Sequence, residues 1–252
     1  MSGAGVEISE VRVGDVAVPR LELTDWAERY GLVAGLTLRP MSLGLWSDEP
    51  VGQVMSRWRA FYAAFAARFP TIVLSHQVHG SIMQWHEAMP AGWLILDGVD
   101  GHATSEPGML LTITVADCIP VYLAVPKKGA IALVHAGWRG TAAGILGHGV
   151  ELLKRHAFGK GSDIVMHCGV GICGECYEVG AEVAGRFGRT AATGPVHLDL
   201  RAILARQARE LGIENVTVSP LCAAEDRNRF YSHRASGGRD GRMVAYLGRP
   251  RG

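Results

Sequence analysis

The sequence predicts an α+β fold built from layers of sheets and helices. A chain of 252 residues, 48% hydrophobic and only 19% charged, can bury a substantial core. Strand-like runs rich in β-branched and aromatic residues follow one another, separated by Gly- and Pro-bearing turns. Helical patterns are interspersed with these hairpins, which favours layers over a doubly wound parallel sheet. Because no internal repeat or long Pro/Ser-rich linker interrupts the chain, we predict one domain over residues 1–252.

The N-terminal part opens with strands and continues into a helix. Residues 6–23 are predicted as short strands with a turn at Gly14-Asp15, and residues 32–38 as a strand that ends at Arg39-Pro40. A helix is predicted between residues 51 and 69, because the apolar positions there recur at steps of three and four. These positions are Val51, Val54, Met55, Trp58, Phe61, Tyr62, Phe65 and Phe69.

Strands dominate the middle of the chain, and helices become frequent after it. The predicted strands cover residues 71–78, 81–85, 109–115, 119–125, 130–135 and 164–169. The predicted helices cover residues 141–156, 178–187 and 200–211. Glycines interrupt the first of these helices, and Asp199 is the expected N-cap of the last one.

Charge and cysteine content restrict the classes of partner. The chain has 25 basic and 24 acidic residues, so no electrostatic bias favours nucleic acid or a membrane surface, and small-molecule partners are expected. The longest apolar run, residues 109–125, contains Asp117 and Pro120, which indicates buried strands instead of a lipid span. Five irregularly spaced cysteines suit reduced thiols, and no signal-like stretch opens the chain. We therefore expect a soluble cytoplasmic protein, and predict no oligomeric state.

Two histidines near the end of one predicted strand are candidate metal ligands. His76 and His79 differ by three positions, so in an extended strand their side chains point to opposite faces. Only one of them can then join a given site. His79 precedes Gly80, where the backbone can bend toward a ligand, whereas His76 lies earlier in the strand and suits a core or rim position. His79 is therefore the preferred ligand.

Cys118 and His135 are brought together by a predicted hairpin. If Lys127-Lys128 form a two-residue turn, residues whose numbers sum to 255 face each other, and Cys118 lies opposite Gly137. His135 is then the diagonal neighbour of Cys118 on the same face, roughly 7 to 8 Å away between Cα atoms. A thiolate and two imidazoles suit Zn²⁺, and three protein ligands leave a fourth position open for catalysis. The neighbouring carboxylate of Asp117 requires partners if it is buried.

Four segments of the chain resemble the signature segments of a known family. They are Gln77-Val78-His79-Gly80, Thr114-Val115-Ala116-Asp117-Cys118-Ile119-Pro120, His135-Ala136-Gly137-Trp138-Arg139-Gly140 and Cys176-Tyr177-Glu178-Val179-Gly180. They look like those of the YfiH family, also called laccase-domain or multicopper polyphenol oxidoreductases and now regarded as purine nucleoside enzymes. The resemblance extends over about residues 35–248.

The resemblance implies a fold, a metal and a set of reactions. The fold is a CNF/YfiH-like, layered α/β/β/α arrangement with mixed sheets. The family's metal ligands carry over to His79, Cys118 and His135, which are also the expected catalytic residues, with zinc as the cofactor. The implied reactions are deamination of adenosine and phosphorolysis of adenosine, inosine, guanosine or methylthioadenosine. Purine nucleosides and phosphate are therefore the expected partners.

Residues that bind the substrate are expected around the metal ligands. Arg139 follows His135 by four residues in a Gly-flanked segment and is the first candidate for phosphate. Arg39 is the second candidate, because the family places an arginine there, although its loop departs from the family's Ser-Thr-Arg and Gly-Gly pattern. Asp117 is the third expected substrate contact. Near the C-terminus, Cys222-Ala223 and Ser232-His233-Arg234 replace the usual Cys-Thr and Ser-Tyr-Arg, which bears on substrate preference.

Three other functions remain open from the sequence. Copper-dependent oxidation of polyphenols would use the same His₂Cys set, but the ten histidines are scattered, whereas oxygen reduction needs several clusters. A metal-free hydrolase would use Cys118 as nucleophile and His135 as its base. A binding module without catalysis is the third alternative.

Several further polar residues have a functional and a structural interpretation. Cys173 and Cys176 have the spacing of a zinc or redox motif, but no second cysteine pair completes four sulfur ligands, so a structural zinc is the less favoured interpretation there. Asp97, Asp100 and His102 could approach a ligand or merely form turns. Arg239 and Arg242 could bind phosphate, although a solvated hairpin is the simpler interpretation.

Overall fold

Two large β-sheets form the centre of the structure, a computed structural model that describes residues 10–13, 17–157, 159–189, 194 and 196–252. The strands are β1 (Glu10–Val13), β2 (Arg20–Leu23), β3 (Val33–Thr37), β4 (Thr71–His76), β5 (Met83–His86), β6 (Gly92–Asp97), β7 (Gly101–Thr104), β8 (Met109–Val115), β9 (Ile119–Val125), β10 (Ala130–Ala136), β11 (Val165–Cys168), β12 (Glu178–Val179), β13 (Val196–His197), β14 (Asn215–Val218) and β15 (Met243–Gly248). The helices are α1 (Thr24–Tyr30), α2 (Val51–Phe65), α3 (Trp138–Ala142), α4 (Ile145–Ala157), α5 (Ala181–Gly185) and α6 (Leu200–Glu210).

Both large sheets contain parallel and antiparallel pairs. The first sheet has seven strands in the order β1-β2-β3-β15-β8-β4-β6, antiparallel from β1 to β8 and parallel from β8 through β4 to β6. The second has six strands in the order β14-β11-β9-β10-β7-β5, with parallel pairs at its two edges. β12 and β13 form a separate short ribbon. The mixed sheets agree with the prediction.

The sheets pack face to face with helices on both outer sides. Leu111 of β8 and Leu133 of β10 are fully buried in the core between the sheets. The Tyr122 hydroxyl crosses this core and donates to the Gly35 carbonyl at 2.8 Å. Helix α2 covers the first sheet through an aromatic cluster that includes Trp58, while α4 and α6 cover the second sheet. The resulting α/β/β/α order is the layered α+β arrangement that the sequence predicts.

The predicted register of the β9–β10 hairpin is confirmed, although its turn differs. The pairs run from Val125↔Ala130 to Ile119↔Ala136, so their residue numbers sum to 255. The connection is a 3-10 turn over Pro126–Lys128, followed by Gly129 at a φ of 66°. This connection of four residues, 126–129, keeps the register of the predicted two-residue turn, because it is longer by one residue on each side.

Several predicted elements differ from the observed ones. The predicted helix over residues 141–156 divides into α3 and α4, because Gly144 adopts a φ of 79° between them. The predicted helix over residues 178–187 begins as the strand β12 and becomes helical only in α5. Helix α6, in contrast, is confirmed, and the Asp199 side chain caps it by accepting the N–H of Ala202.

Further elements were not predicted at all, and one prediction is not covered by the structure. Strands β6, β7, β13, β14 and β15 and helix α1 have no counterpart among the predicted elements. The predicted turn at Gly14-Asp15 lies outside the described residues. Within the described part of the chain, no helix has both the length and the apolar character needed to cross a membrane.

Candidate metal centre

Three side chains from separate segments converge at one end of the sheets. The donor atoms of His79, Cys118 and His135 all lie within 4.8 Å of one another. His79 follows β4, Cys118 lies in the turn between β8 and β9, and His135 lies near the end of β10. The two imidazole rings meet edge to face, with their centroids 4.9 Å apart. The three residues that the sequence singled out as ligands are therefore neighbours in space.

His79 reaches this position because the chain leaves the strand before it. β4 ends at His76, and His79 has a φ of 58°, which is unusual for a residue with a side chain. The Asp100 carboxylate holds the bend by accepting the N–H groups of Val78 at 3.2 Å, His79 at 2.9 Å and Gly80 at 2.7 Å. The expectation that an extended strand sends His76 and His79 to opposite faces was therefore wrong, and both histidines line the same cavity.

The same carboxylate orients His135. The Nδ1 atom of His135 lies 2.9 Å from Oδ1 of Asp100, and both side chains are buried. When the Nδ1–H group of His135 donates a hydrogen bond to the carboxylate, the Nε2 lone pair of the neutral ring is free to bind a metal. Asp100 thus fixes the ring of one histidine and the backbone of another.

Cys118 lies beside His135 as the hairpin register requires, and a glycine provides the room for it. A Cβ atom at Gly137 would lie 3.0 Å from Sγ of Cys118 and 3.3 Å from Cδ2 of His79. Any larger residue at position 137 would therefore push into the space between two donor side chains. The preceding residue, Asp117, has a φ of 82° and turns the chain sharply from β8 into β9.

The electrostatics of the three groups favour binding of a cation. Burial alone raises the pKa of the Cys118 thiol, but the His135 and His79 imidazoles outweigh it and lower that pKa overall. Burial lowers the pKa of His135, but Cys118 and Asp100 together raise it overall. The sulfur is thus held as a thiolate, the form that binds metals. A His₂Cys donor set with a thiolate fits zinc.

A cavity of about 550 Å³ opens above the three side chains. This volume is in the range of small-molecule sites. Its lining includes Trp46, His76, Gln77, His79, Thr114, Asp117, Cys118, His135, Trp138, Arg139, Tyr177, His233, Arg234 and Arg242. The cavity therefore combines one open side of the candidate metal centre with aromatic rings and three arginines.

Two of the three arginines that line the cavity lie over aromatic rings. The guanidinium carbon of Arg139 lies 4.5 Å from the Trp138 ring centroid, and that of Arg234 lies 5.2 Å from the Tyr177 centroid. Within the part of the chain that the structure describes, Arg139 has no ion-pair partner. An exposed, unpaired guanidinium at the rim of a cavity is available to bind an anion.

The other two predicted substrate contacts differ in position. Asp117 lines the cavity, with Oδ2 accepting the backbone N–H of Arg234 at 2.6 Å and Oδ1 buried without a partner among the described residues. Burial raises its pKa, although the Arg234 N–H acts in the opposite direction. Arg39 is not among the lining residues, since its guanidinium pairs with Asp240 and donates to the Phe230 carbonyl at 2.8 Å.

Asp97, Asp100 and His102, for which the sequence left a ligand contact or a turn open, have different positions in the structure. Asp97 pairs with His76 at the exposed rim of the cavity, at 2.8 Å. His102 is buried and bonded to His86 and Ser75, each at 3.1 Å, away from the cavity. Asp100, which the sequence left as a turn former or a ligand contact, instead supports the candidate metal ligands.

Several cavity residues had no functional role in the sequence analysis. Trp46 stacks on His76 with ring centroids 4.7 Å apart, and Gln77 accepts the Thr114 backbone N–H at 2.7 Å. Tyr177 and Arg234 were seen only as members of family-like segments. That membership was the one available signal, because these residues come from distant parts of the chain and meet only in the fold.

Comparisons with known proteins agree with this architecture. The profile of a family described as multi-copper polyphenol oxidoreductase laccase matches residues 27–250. A purine nucleoside phosphorylase of Deinococcus radiodurans is 35% identical over 249 residues, covering 96% of this chain and 93% of that protein. The purine nucleoside phosphorylase YlmD of Geobacillus stearothermophilus is 33% identical over 248 residues, covering 87% of this chain and 90% of that protein.

Solved structures show the same fold. The crystal structure of YlmD from Geobacillus stearothermophilus is similar with a TM-score of 0.88 at 30% identity, covering 96% of this chain and 100% of that one. The crystal structure of a Bacillus licheniformis protein, YfiH, is similar with a TM-score of 0.83 at 24% identity, covering 91% and 96%.

Proposed function

Since the chain belongs to the multi-copper polyphenol oxidoreductase laccase family, the YfiH family, we propose that it is a purine nucleoside phosphorylase that also deaminates adenosine. Zinc bound by His79, Cys118 and His135 serves both reactions. The observation that carries the proposal is the His₂Cys set at the base of a cavity of about 550 Å³ lined by arginines and aromatic rings. The names of the two phosphorylase relatives support the substrate class.

The cavity offers a group for each part of a nucleoside and for phosphate. Aromatic rings such as Trp46 and Tyr177 can stack on a flat purine. The open side of the His79, Cys118 and His135 set faces the space where the reacting atoms would lie. When bound, zinc supplies a Lewis acid that makes water a nucleophile at neutral pH. The chain's own residues bind and orient the substrate.

Asp117 is suited to hold a proton at the purine. Its buried Oδ1 has no partner among the described residues, and burial raises its pKa, so a protonated carboxyl is easier to form here than in water. In phosphorolysis the N-glycosidic C–N bond breaks, the purine leaves with the electron pair, and a phosphate oxygen bonds to the sugar carbon. A proton held at Asp117 can neutralise the departing purine.

A metal-free Cys-His hydrolase is the second candidate, because the lowered pKa of Cys118 also suits a nucleophile. Chelation separates the two functions. A metal-free hydrolase would keep its activity on chelation and lose it on thiol alkylation. The zinc enzyme would lose its activity on chelation and resist alkylation while zinc is bound. Metal analysis after purification without added copper distinguishes zinc from the copper of a polyphenol oxidase.

Adenosine should be converted to inosine in the absence of phosphate. In deamination the oxygen of water bonds to the purine carbon that carries the amino group, and the C–N bond breaks. One proton of the water leaves with the amino group as ammonia, and the other stays on the purine ring of inosine. Phosphate is neither a reactant nor a product of this deamination. Incubation with adenosine and the other nucleosides, with and without phosphate, checks this by ammonia release and chromatography of the products. Ammonia release that requires phosphate, or that persists at full rate after chelation, would contradict the proposal.

Replacing Arg139 with alanine should impair phosphorolysis more than deamination. The dianionic phosphate needs charge-assisted hydrogen bonds, and the loss of about 1.4 kcal/mol or more of such binding lowers phosphorolysis about tenfold or raises the phosphate KM as much. Steady-state kinetics of both reactions on the same preparation measure the effect. Arg206→Ala is the matched control, because Arg206 lies exposed on α6 and pairs with Glu210.

The Arg139→Ala variant tests the phosphate role only if phosphorolysis falls more than deamination. Equal losses in phosphorolysis and deamination, or no loss in either, would remove Arg139 from the phosphate role. Arg234 is the next cavity arginine to test, because it lines the same cavity and its guanidinium is held in place by donating to the Glu178 carbonyl at 2.7 Å. Arg39 remains a sequence prediction that the same kinetics can examine.

A further inference from the structure

A second group of metal-ligating side chains lies apart from His79, Cys118 and His135. The sulfurs of Cys173, Cys176 and Cys222 and a carboxylate oxygen of Glu225 all lie within 4.8 Å of one another. From the sequence, zinc at Cys173 and Cys176 was the less favoured interpretation, because the chain has no second cysteine pair at this spacing. The fold supplies the missing donors as a single cysteine and a glutamate from a distant segment.

The backbone brings the two segments into register. Gly171 forms a parallel bridge with Cys222, and the Cys173 N–H points at Sγ of Cys222 at 3.3 Å. The buried guanidinium of Arg201 holds the segment that leads to Cys222 by donating to the carbonyls of Ser219 at 2.8 Å and Leu221 at 2.7 Å.

Each of the two segments contributes two side chains to this group of metal-ligating donors. Cys173 and Cys176 lie on one turn, closed by a hydrogen bond from the Tyr177 N–H to the Cys173 carbonyl at 3.1 Å. Cys222 and Glu225 lie on another turn, three positions apart. Both thiols of the first turn approach Oε1 of Glu225, at 3.2 Å from Cys173 and 3.5 Å from Cys176. Four donors therefore surround a common centre.

We infer that Cys173, Cys176, Cys222 and Glu225 bind a second zinc ion, which has a structural role. Three soft sulfurs and one carboxylate oxygen are all zinc ligands, and four is the number of ligands that a tetrahedral structural zinc site takes. Around one zinc ion, sulfurs at about 2.3 Å from the metal lie about 3.8 Å from one another. Donor atoms already within 4.8 Å need shifts of only about 1 Å to close on the ion.

The second zinc site would brace one wall of the large cavity. Ile172 and Tyr177 flank the turn that carries Cys173 and Cys176, and both of them line the cavity. The Ile172 N–H donates to the Asp117 carbonyl at 2.9 Å, directly beside the candidate metal centre. A metal that locks this turn thus fixes the position of Tyr177, which in turn supports Arg234.

The test is the zinc content of the full-length protein and of single variants, measured by mass spectrometry after exhaustive dialysis. The wild type should hold two zinc ions per chain, one at each group of donors. Cys222→Ser and Cys118→Ala should each hold one, and the double variant none. Cys168→Ala is the control, because Cys168 is a buried free cysteine outside both groups, and it should keep both ions.

A second variant avoids any dependence on the folding of Cys222→Ser. Glu225 is exposed, so Glu225→Gln should fold normally and bind zinc at the second site about tenfold or more weakly in chelator competition. Glu175→Gln is the matched control, since Glu175 lies exposed on the same surface between Cys173 and Cys176. Cys222→Ser should also lower the melting temperature by about 5 °C or more, because a structural ion stabilises only the folded state.

Thiol titration of the unfolded, chelated protein completes the test. All five cysteines should react, because zinc keeps Cys173, Cys176 and Cys222 reduced. A disulfide among these three in the freshly purified protein would overturn the assignment. So would a wild type that holds one zinc ion and loses it in Cys118→Ala, or unchanged zinc affinity in both Cys222→Ser and Glu225→Gln.

Discussion

Replacing Cys118 with alanine should remove the metal ion from the candidate centre and lower phosphorolysis and deamination by about a thousandfold or more. The variant leaves two imidazoles without the thiolate that carries the only full negative charge of the donor set. The Lewis acid chemistry that both proposed reactions share is then lost, and a loss of about 4 kcal/mol in transition-state stabilisation corresponds to that factor. Metal content and steady-state rates of both reactions measure the effect.

Histidine variants make this prediction more specific. His79→Ala should lose the metal ion as Cys118→Ala does, whereas His76→Ala should keep it, because His76 pairs with Asp97 and stacks on Trp46 outside the donor set. The comparison is informative because the two histidines lie three residues apart and line the same cavity. Unchanged metal content in Cys118→Ala would refute the assignment of the centre.

The hairpin that joins Cys118 to His135 illustrates what the sequence alone can predict. Two apolar strands with a short basic turn between them define the register, because a slip of one residue would turn each buried side chain to the other face. The structure has that register even though its turn is longer than expected. Local pattern and burial are enough here, since both partners belong to one continuous hairpin.

The position of His79 shows why the remainder of the centre was harder to predict. Its left-handed backbone conformation is held by the carboxylate of Asp100, twenty-one residues further along the chain. The predicted strand ran to residue 78, because the local sequence pattern does not indicate a bend that a distant side chain stabilises. His79 was therefore chosen as the ligand on the assumption of an extended strand, although its backbone is left-handed in the structure.

The second group of donors could not be predicted from the sequence, because its residues meet only through long-range contacts. Cys173 and Cys222 are separated by forty-nine residues, and contacts such as the bridge between Gly171 and Cys222 bring their segments together. Strand β15 was missed for a related reason. Its position between β3 and β8 is fixed by the sheet, and a short apolar run at the end of the chain does not by itself specify such a position.

Replacing Asp100 with asparagine should destabilise the protein by about 2 to 4 kcal/mol and weaken metal binding about ten- to a hundredfold. The fully buried carboxylate accepts three backbone N–H groups and faces Nδ1 of His135. An asparagine side chain places an NH₂ group against at least one of these donors, so a buried donor loses its acceptor. Denaturant unfolding and chelator competition measure the two effects.

The matched control for this variant is Asp97→Asn. Asp97 also bonds to a histidine, at 2.8 Å from His76, but its side chain is 88% exposed, so the substitution should change stability by less than about 1 kcal/mol. If both variants had the same stability, the carboxylate of Asp100 would have no special role in holding the two histidines.

The stability gap between the chelated wild type and chelated Asp100→Asn should depend on pH. Burial alone raises the pKa of Asp100, but His135 and the backbone N–H groups lower it overall, so its contribution is present above pH 3.8 and is lost as the pH falls below that value. Burial lowers the pKa of His135, but Cys118 and Asp100 together raise it to about 9. Only the part due to Asp100 differs between the two proteins, and this part is complete below pH 6.5 and is lost as the pH rises toward 9. The gap should therefore be widest between pH 3.8 and 6.5 and narrow on both sides. Denaturant unfolding of both chelated proteins across this range measures it, and a gap that does not change with pH would show that the Asp100–His135 ion pair does not stabilise the fold.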